Sequence, residues 1–484
     1  MTGKEKRGSA SLALKAGFWY VISTFLVKAL SFITTPIFSR LMSNSEYGEF
    51  SNFASWQAIL IIIAGAELYN TISRAYYDFT EDFDKYISTI TIASCGVTMV
   101  LYLASLASGK WFFEIVAIPE QYIHILFFVL MFQSCKQIYM ARERTLYRYK
   151  TVAAISVFNL LVPTIIAVLL VLLAGNGERL AARIYGFYLP SSLIGVGCAA
   201  VILWKGKSFK LKYCKYAFAL AMPLIVHYLT AHLLTSSNTI VTKNILGAQA
   251  VSIVSIASSA NHILTILLQS VSGALTTWLM DNLEQKNVSM VRRGTLIYVA
   301  GISVVSIAVI LLAPEVIWIL GGTKYVTSTT LMPGMVVSVL IQSITTLFTI
   351  ILTYEKRVVK TALYTTVVAT FCIGSKIFLL PIFGVQILPF INIICFGVLF
   401  MINFWLVKKA GYGKYINLKG ILCIVFIVCF VMAGSYFLYE HIVIRYSVIA
   451  IVMLIVIGTM YRYRGLLATL LKNKLKKKKN KTEK

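Results

Sequence analysis

Apolar runs about as long as a bilayer is thick recur from one end of this chain to the other, and that feature excludes most folds. An α-helix needs roughly 20 apolar residues to cross a hydrocarbon core about 30 Å deep. Lipid offers no hydrogen-bond partners, so such runs must satisfy their backbone internally, and at this length they do so as helices. Reading the runs between charged breaks gives spans at about 16–38, 53–75, 87–108, 121–140, 152–174, 184–204, 217–240, 250–278, 294–314, 333–353, 361–380, 387–407, 420–439 and 446–461. The last, at 16 residues, is shorter than the others. The chain is 58% hydrophobic and 13% charged, against roughly 45–50% and 25% in soluble domains, which leaves the aqueous parts as short loops and tails. The expected fold is an all-α polytopic membrane protein of about 14 transmembrane helices.

Charge fixes an orientation for those helices. Of 45 Lys and Arg, 34 fall on one set of alternate loops and tails, including the runs 142–150, 205–215 and 408–419 and the polybasic end. The opposite loops hold seven: Arg40, Lys110, Arg179, Arg183, Lys243, Lys324 and Arg445. Four more, Lys28, Arg74, Lys136 and Lys376, lie inside apolar runs. Excess Lys and Arg marks the cytoplasmic side, so both termini are expected there. The net charge of +27 is then topogenic, and nucleic acid is not an expected partner. The tail after the last span should lie on anionic membrane lipids, at about 1 kcal/mol per basic residue.

A shift of 203 residues lays the segment from Pro36 on the segment from Thr239, pairing Arg40 with Lys243 and Ser55 with Ser258. Both are the outer end of one span, a short loop and the start of the next. Six spans separate the copies, so the halves would be parallel repeats about an axis along the membrane normal. The expected organisation is an N-terminal lobe (1–204), a C-terminal lobe (205–407), two appended spans (408–463) and a cytoplasmic polybasic tail (464–484).

Polar groups at membrane depth mark function. Lys28 sits near the bilayer centre, with Thr24, Ser31 and Thr35 at helical spacing around it. On span 8, Ser255, Ser258, His262, Thr265, Gln269, Ser272 and Thr276 recur in steps of three and four. That forms one polar face about 32 Å long, read as the lining of an aqueous path rather than interhelical glue. Shorter stripes follow on span 7 (Tyr228, His232, Thr235, Thr239) and span 10 (Ser338, Gln342, Thr345, Thr349). Arg74 and Lys376 lie near span ends and can snorkel, while Lys136 has Gln133 and Gln137 nearby. Glu67 is the lone deep carboxylate, expected to balance charge with Asn70 and Arg74. Cations outnumber anions at depth, so the expected cargo is anionic.

Seven of eight cysteines fall inside apolar runs, and none forms a CxxC pair, which supports neither a disulfide framework nor a zinc site. There is no HExxH, GxSxG or P-loop. No enzyme activity and no cofactor is expected, and energy would come from a gradient, the membrane potential or the substrate supply.

The stretch from Phe18 to Trp56, with Ser39-Arg40 at a Pro-containing span end and then Glu46-Tyr47-Gly48, resembles the opening of bacterial polysaccharide-repeat-unit (Wzx-type) flippases. These belong to the multidrug/oligosaccharidyl-lipid/polysaccharide (MOP) exporter superfamily. The segments ARERTLYRYK before span 5 and PEVIWILGGTKYVTSTTLMP before span 10 are similar to that family too. The resemblance implies a two-lobed bundle in the bacterial cytoplasmic membrane. It would turn an undecaprenyl-diphosphate-linked oligosaccharide from inner to outer leaflet by alternating access, for surface polysaccharide synthesis. It also implies glycan polymerase or assembly proteins as partners. Arg40 matches the family's Ser-Arg position, and Lys243 is its repeat counterpart. With the residues read from depth, the candidate cavity set is Lys28, Arg40, Arg74, Lys136, Lys243, His262 and Gln269. The appended spans keep a lipid II flippase open. A drug/cation antiporter would want deep carboxylates, and a membrane-embedded glycan polymerase a large outer loop.

Overall fold

A computed structural model describes residues 32–355 and 357–454, whose regular structure is helical throughout. Lys28 with the rest of span 1 up to residue 31, the end of span 14, the polybasic tail and the side chain of Gln269 lie outside the described residues.

Helix α1 (residues 32–41) turns at Met42–Ser43 into α2 (Asn44–Ala64). The turn is fixed by a full capping box. The Ser43 hydroxyl accepts the Glu46 N–H at 3.2 Å, and the Ser43 N–H donates to Glu46 Oε2 at 2.9 Å. Span 2 is not one straight helix. After Gly65 the chain takes left-handed φ at Ala66 and Glu67, then continues at a 49° bend through Leu68–Thr71 into α3 (Ile72–Asp78). Asn70 donates to Glu67 Oε2 at 2.6 Å at this bend.

Then follow α4 (Phe83–Ala107), α5 (Lys110–Val116), α6 (Ile123–Thr145), α7 (Tyr149–Leu173), α8 (Arg179–Gly206) and α9 (Leu211–Glu284). Helix α9 carries spans 7 and 8. Gly247, at φ 81° and ψ 179°, divides it into two limbs, a conformation glycine adopts without a Cβ clash. The chain doubles back there: Thr239 and Ser258 would lie about 28 Å apart along an unbroken helix, yet they line one cavity. The remaining helices are α10 (Val288–Leu311), α11 (Ala313–Gly321), α12 (Ser328–Tyr354), α13 (Val358–Phe383), α14 (Leu388–Lys409), α15 (Leu418–Leu438) and α16 (Ile442–Leu454).

Among the described residues nine helices are long and apolar enough to cross a membrane, ten with the bent α2–α3 pair counted. Two of the nine, Leu211–Leu268 and Lys360–Lys409, each hold two of the expected spans. The count therefore accommodates spans 2 to 13, and the chain is an all-α, multi-pass membrane protein.

Loop contacts sort the helix ends onto two faces. On one, the basic face, Lys210 and Tyr213 reach Asp82, Arg142 reaches Asp84 and Tyr412 reaches Glu355. On the other, the charge-poor face, Asn52 donates to Val116 and Ala117 carbonyls, Arg179 to that of Leu41, and Arg445 pairs with Glu315. Helices α4, α6, α7 and α8 pack together, and α12 packs against α9, α10, α13 and α14. The α2 helix lies along α9, joining these groups, and α15 covers α10 and α12.

Candidate functional site

The α2–α9 junction begins with a close approach. Gly48 lies against the backbone of Ala248, where a Cβ would come within 1.8 Å of the carbonyl oxygen. Small residues are what allow helix backbones this near in a membrane. Around it the halves are tied at the charge-poor face. Arg40 donates to the Ile319 carbonyl at 3.3 Å, and Lys324 to the Arg40 carbonyl at 3.3 Å. Lys243 forms an ion pair with Glu49, Asn244 donates to the Ile115 carbonyl at 2.9 Å, and the Tyr47 and Tyr325 rings meet edge-on at 6.1 Å.

Behind these ties, between α1, α2, α7, α8 and both limbs of α9, lies a cavity of about 380 Å³. Its walls are hydroxyls (Thr34, Thr35, Ser51, Thr164, Thr239, Ser255, Ser258, Ser259), aromatic rings (Phe38, Tyr47, Phe50, Phe187, Tyr188), His262 and Arg183. Among the described residues no Asp or Glu lines it. The Arg183 guanidinium lies 3.5 Å from the Phe50 ring centroid, 4.1 Å from Phe38 and 5.0 Å from Tyr47. Arginine favours such stacking because its charge is delocalised and weakly hydrated.

A second cavity of about 470 Å³ opens between α6, α7 and the Leu68–Thr71 turn. Lys136 stands in its wall with Arg144, Gln133, Gln137, Asn159 and Tyr69. Its ammonium donates to Asn159 Oδ1 at 2.6 Å and to Ser191 Oγ at 2.8 Å. Both partners are neutral, so the charge stays uncompensated by any carboxylate among the described residues. The two cavities present bases, hydroxyls, amides and rings, a surface for an anionic polyhydroxylated ligand.

A family model described as polysaccharide biosynthesis protein matches residues 13–279, more than half of the chain. The chain belongs to that family. The resemblance to polysaccharide-repeat-unit flippases read from the sequence is thus borne out at the level of family. Solved structures agree in fold. A lipid II flippase MurJ in an inward closed conformation is 14% identical at a TM-score of 0.69, with 92% of this chain and 99% of that one covered. An inward-facing multidrug resistance MATE family transporter of the MOP superfamily is 12% identical at 0.57, covering 81% and 95%. A MOP superfamily transporter from Pyrococcus furiosus is 14% identical at 0.52, covering 81% and 95%. No curated protein sequence matches. At these identities the likeness is one of fold, and this polysaccharide biosynthesis protein has the fold of the MOP superfamily.

The sequence-derived candidates separate in space. His262 lines the first cavity with Ser255 and Ser258 from its own stripe, and Lys136 lines the second. Arg40 is exposed among the ties of the charge-poor face, and Lys243 is engaged there by Glu49. Arg74 is solvent-accessible at the basic face, 3.6 Å from Asp78, so its partner is Asp78, whereas Glu67 is bonded by Asn70. Lys28 and the Gln269 side chain lie outside the described residues. Lys376 does not snorkel. It is fully buried and donates to Ser237 Oγ at 2.8 Å and the Leu234 carbonyl at 3.5 Å, linking α13 to α9. Arg183 is the residue that sequence reasoning missed. The apolar run suggests a span from 184, but α8 starts at Arg179 and carries Arg183 inside as a buried residue. The aromatic pattern of Phe187 and Tyr188 one turn on was the available signal.

Proposed function

We propose that this protein is a flippase for an anionic lipid-linked oligosaccharide, a glycan repeat unit on undecaprenyl diphosphate. It carries that unit from the cytoplasmic to the outer leaflet of the bacterial cytoplasmic membrane for surface polysaccharide synthesis. Residues 1–204 and 205–407 act as two lobes that rock about the cavities between and within them, with 408–463 appended. The charge-poor face is the outer one, and the lobes are tied there, so the cavities face inward for loading.

The observation that carries this reading is Lys136, a cation in a cavity wall at membrane depth whose hydrogen-bond partners are neutral. A charge there is costly, and its cost falls when a ligand of opposite sign arrives. A drug cation would meet repulsion; a diphosphate would meet attraction. Lys28, central in span 1, is proposed for the same role.

The test is export of surface glycan measured beside membrane abundance. Lys136→Arg keeps the charge and should retain most export. Lys136→Met, at normal abundance, should lose more than about tenfold, the scale of one charge-assisted hydrogen bond. Undiminished export by the Met variant contradicts the reading.

A further inference from the structure

We propose that Arg183 and the rings around it form a receptor for the carboxylate of an acidic sugar, so that the cargo's glycan carries a uronic-acid-type residue. This rests on the flippase reading and names a feature of its cargo.

Arg183 is 8% exposed, and that remainder opens into the 380 Å³ cavity. The rings of Phe50 and Phe38 lie against its guanidinium. Stacking of that kind occupies the face of the group and leaves the N–H edge to bond in plane. Among the described residues that edge meets the thioether of Met42, 3.4 Å from Nη1, and the Tyr47 hydroxyl, and no carboxylate. A thioether is a weak acceptor, whereas a guanidinium presents five N–H donors in a fixed fork. Of the α2 carboxylates, Glu46 bonds Ser43 and Glu49 pairs with Lys243, and neither forms an ion pair with Arg183. A buried arginine whose charge no carboxylate meets, bordering a cavity with no acidic residue among the described lining, is built for an incoming oxyanion.

The walls decide which oxyanion. Tyr188 and Phe187 offer rings to the C–H face of a pyranose, and Ser255, Ser258 and Thr239 offer hydroxyls to its O–H groups. A planar carboxylate matches the planar fork with two parallel bonds. Position agrees. The cavity lies behind the tied charge-poor face, where the far end of a headgroup loaded from the basic face would arrive. A diphosphate, next to the lipid, would stay nearer Lys136 and Arg144.

The experiment follows thermal unfolding of the full-length protein in detergent. Three probes are titrated: a glucuronic-acid-containing disaccharide, the neutral disaccharide with the carboxylate reduced to the alcohol, and inorganic pyrophosphate. The acidic disaccharide should protect at concentrations at least about tenfold lower than the neutral one. Arg183→Gln should abolish that preference while leaving the pyrophosphate response in place, which also shows that the variant is folded. Arg183→Lys, with charge but no fork, should restore part of it. Phe50→Leu is the second variant, should Arg183→Gln not fold: it removes a stacked ring, keeps the charge and should shrink the preference. Equal protection by both disaccharides, or an acid preference that survives Arg183→Gln and Phe50→Leu, overturns the receptor. Leaflet transfer, measured separately, reports on the flippase reading, so the two can fail apart.

Discussion

Asp82, in the loop between α3 and α4, gathers three donors. Lys85 Nζ is 2.7 Å from one oxygen, while Tyr213 and Lys210 reach the other at 2.6 and 3.2 Å. Lys85 first, then Tyr213 and Lys210, hold its carboxyl below the ordinary carboxylate range near 3.8. A carboxyl lowered on folding stabilises the fold above its unfolded value and loses that contribution as pH falls through the folded one. Thermal stability in detergent should therefore drop on acidification from about pH 5 to about pH 3, and Asp82→Asn should flatten that part of the profile. Parallel profiles for wild type and variant would remove the carboxylate from the dock between the start of α9 and the α3–α4 loop. The site residues show why charge alone misleads at this scale. Lys376, Lys136 and Arg183 are all cations in or beside apolar sequence, yet one is bonded in a helix contact, one lines a cavity with neutral partners, and one is stacked on rings. Nothing in the spacing of a lysine separates the first two, because Ser237 and Ser191 come from distant helices.

At the scale of elements, the Glu46-Tyr47-Gly48 segment explains itself physically. Glu46 closes the capping box that starts α2, Tyr47 meets Tyr325 and Arg183, and Gly48 admits Ala248. Gly48→Ala puts a methyl into a backbone carbonyl, which cannot move without parting α2 from α9. Overpacking of this sort costs about 1–3 kcal/mol. The variant should lower the unfolding temperature by several degrees and make a cysteine at Ser258 more reactive toward a small polar thiol reagent from the charge-poor side. Unchanged stability and unchanged reactivity would contradict that packing. Helix positions were legible because bilayer-length apolarity is a strong signal, and α13 and α14 fall within three residues of expectation, with α10 and α12 within six. Breaks inside apolar sequence were not. The bend at Gly65–Glu67 depends on left-handed residues that any apolar window averages over, and spans 7 and 8 are divided by Gly247 alone where a loop of about nine residues is expected. Arg183 was lost for the related reason that hydropathy ends a span at a charge, whereas helix geometry does not.

The whole molecule combines a family, a fold and a polarity. The family match covers residues 13–279, the fold is that of the MOP superfamily, and the cavities are basic and polar between helices that face lipid. Ties such as Lys243–Glu49 and Arg40–Ile319 join the helices at the charge-poor face; in the proposed alternating-access cycle they part and others form at the basic face. Movement of a lipid-linked glycan between leaflets, as proposed, would show in the sidedness of that lipid. In cells depleted of the protein, the undecaprenyl-diphosphate-linked repeat unit should accumulate where a membrane-impermeant oxidant of sugars cannot reach it from outside. Resupply of the protein should render it accessible and restore surface glycan. A repeat unit equally accessible from outside with and without the protein would contradict leaflet transfer by it.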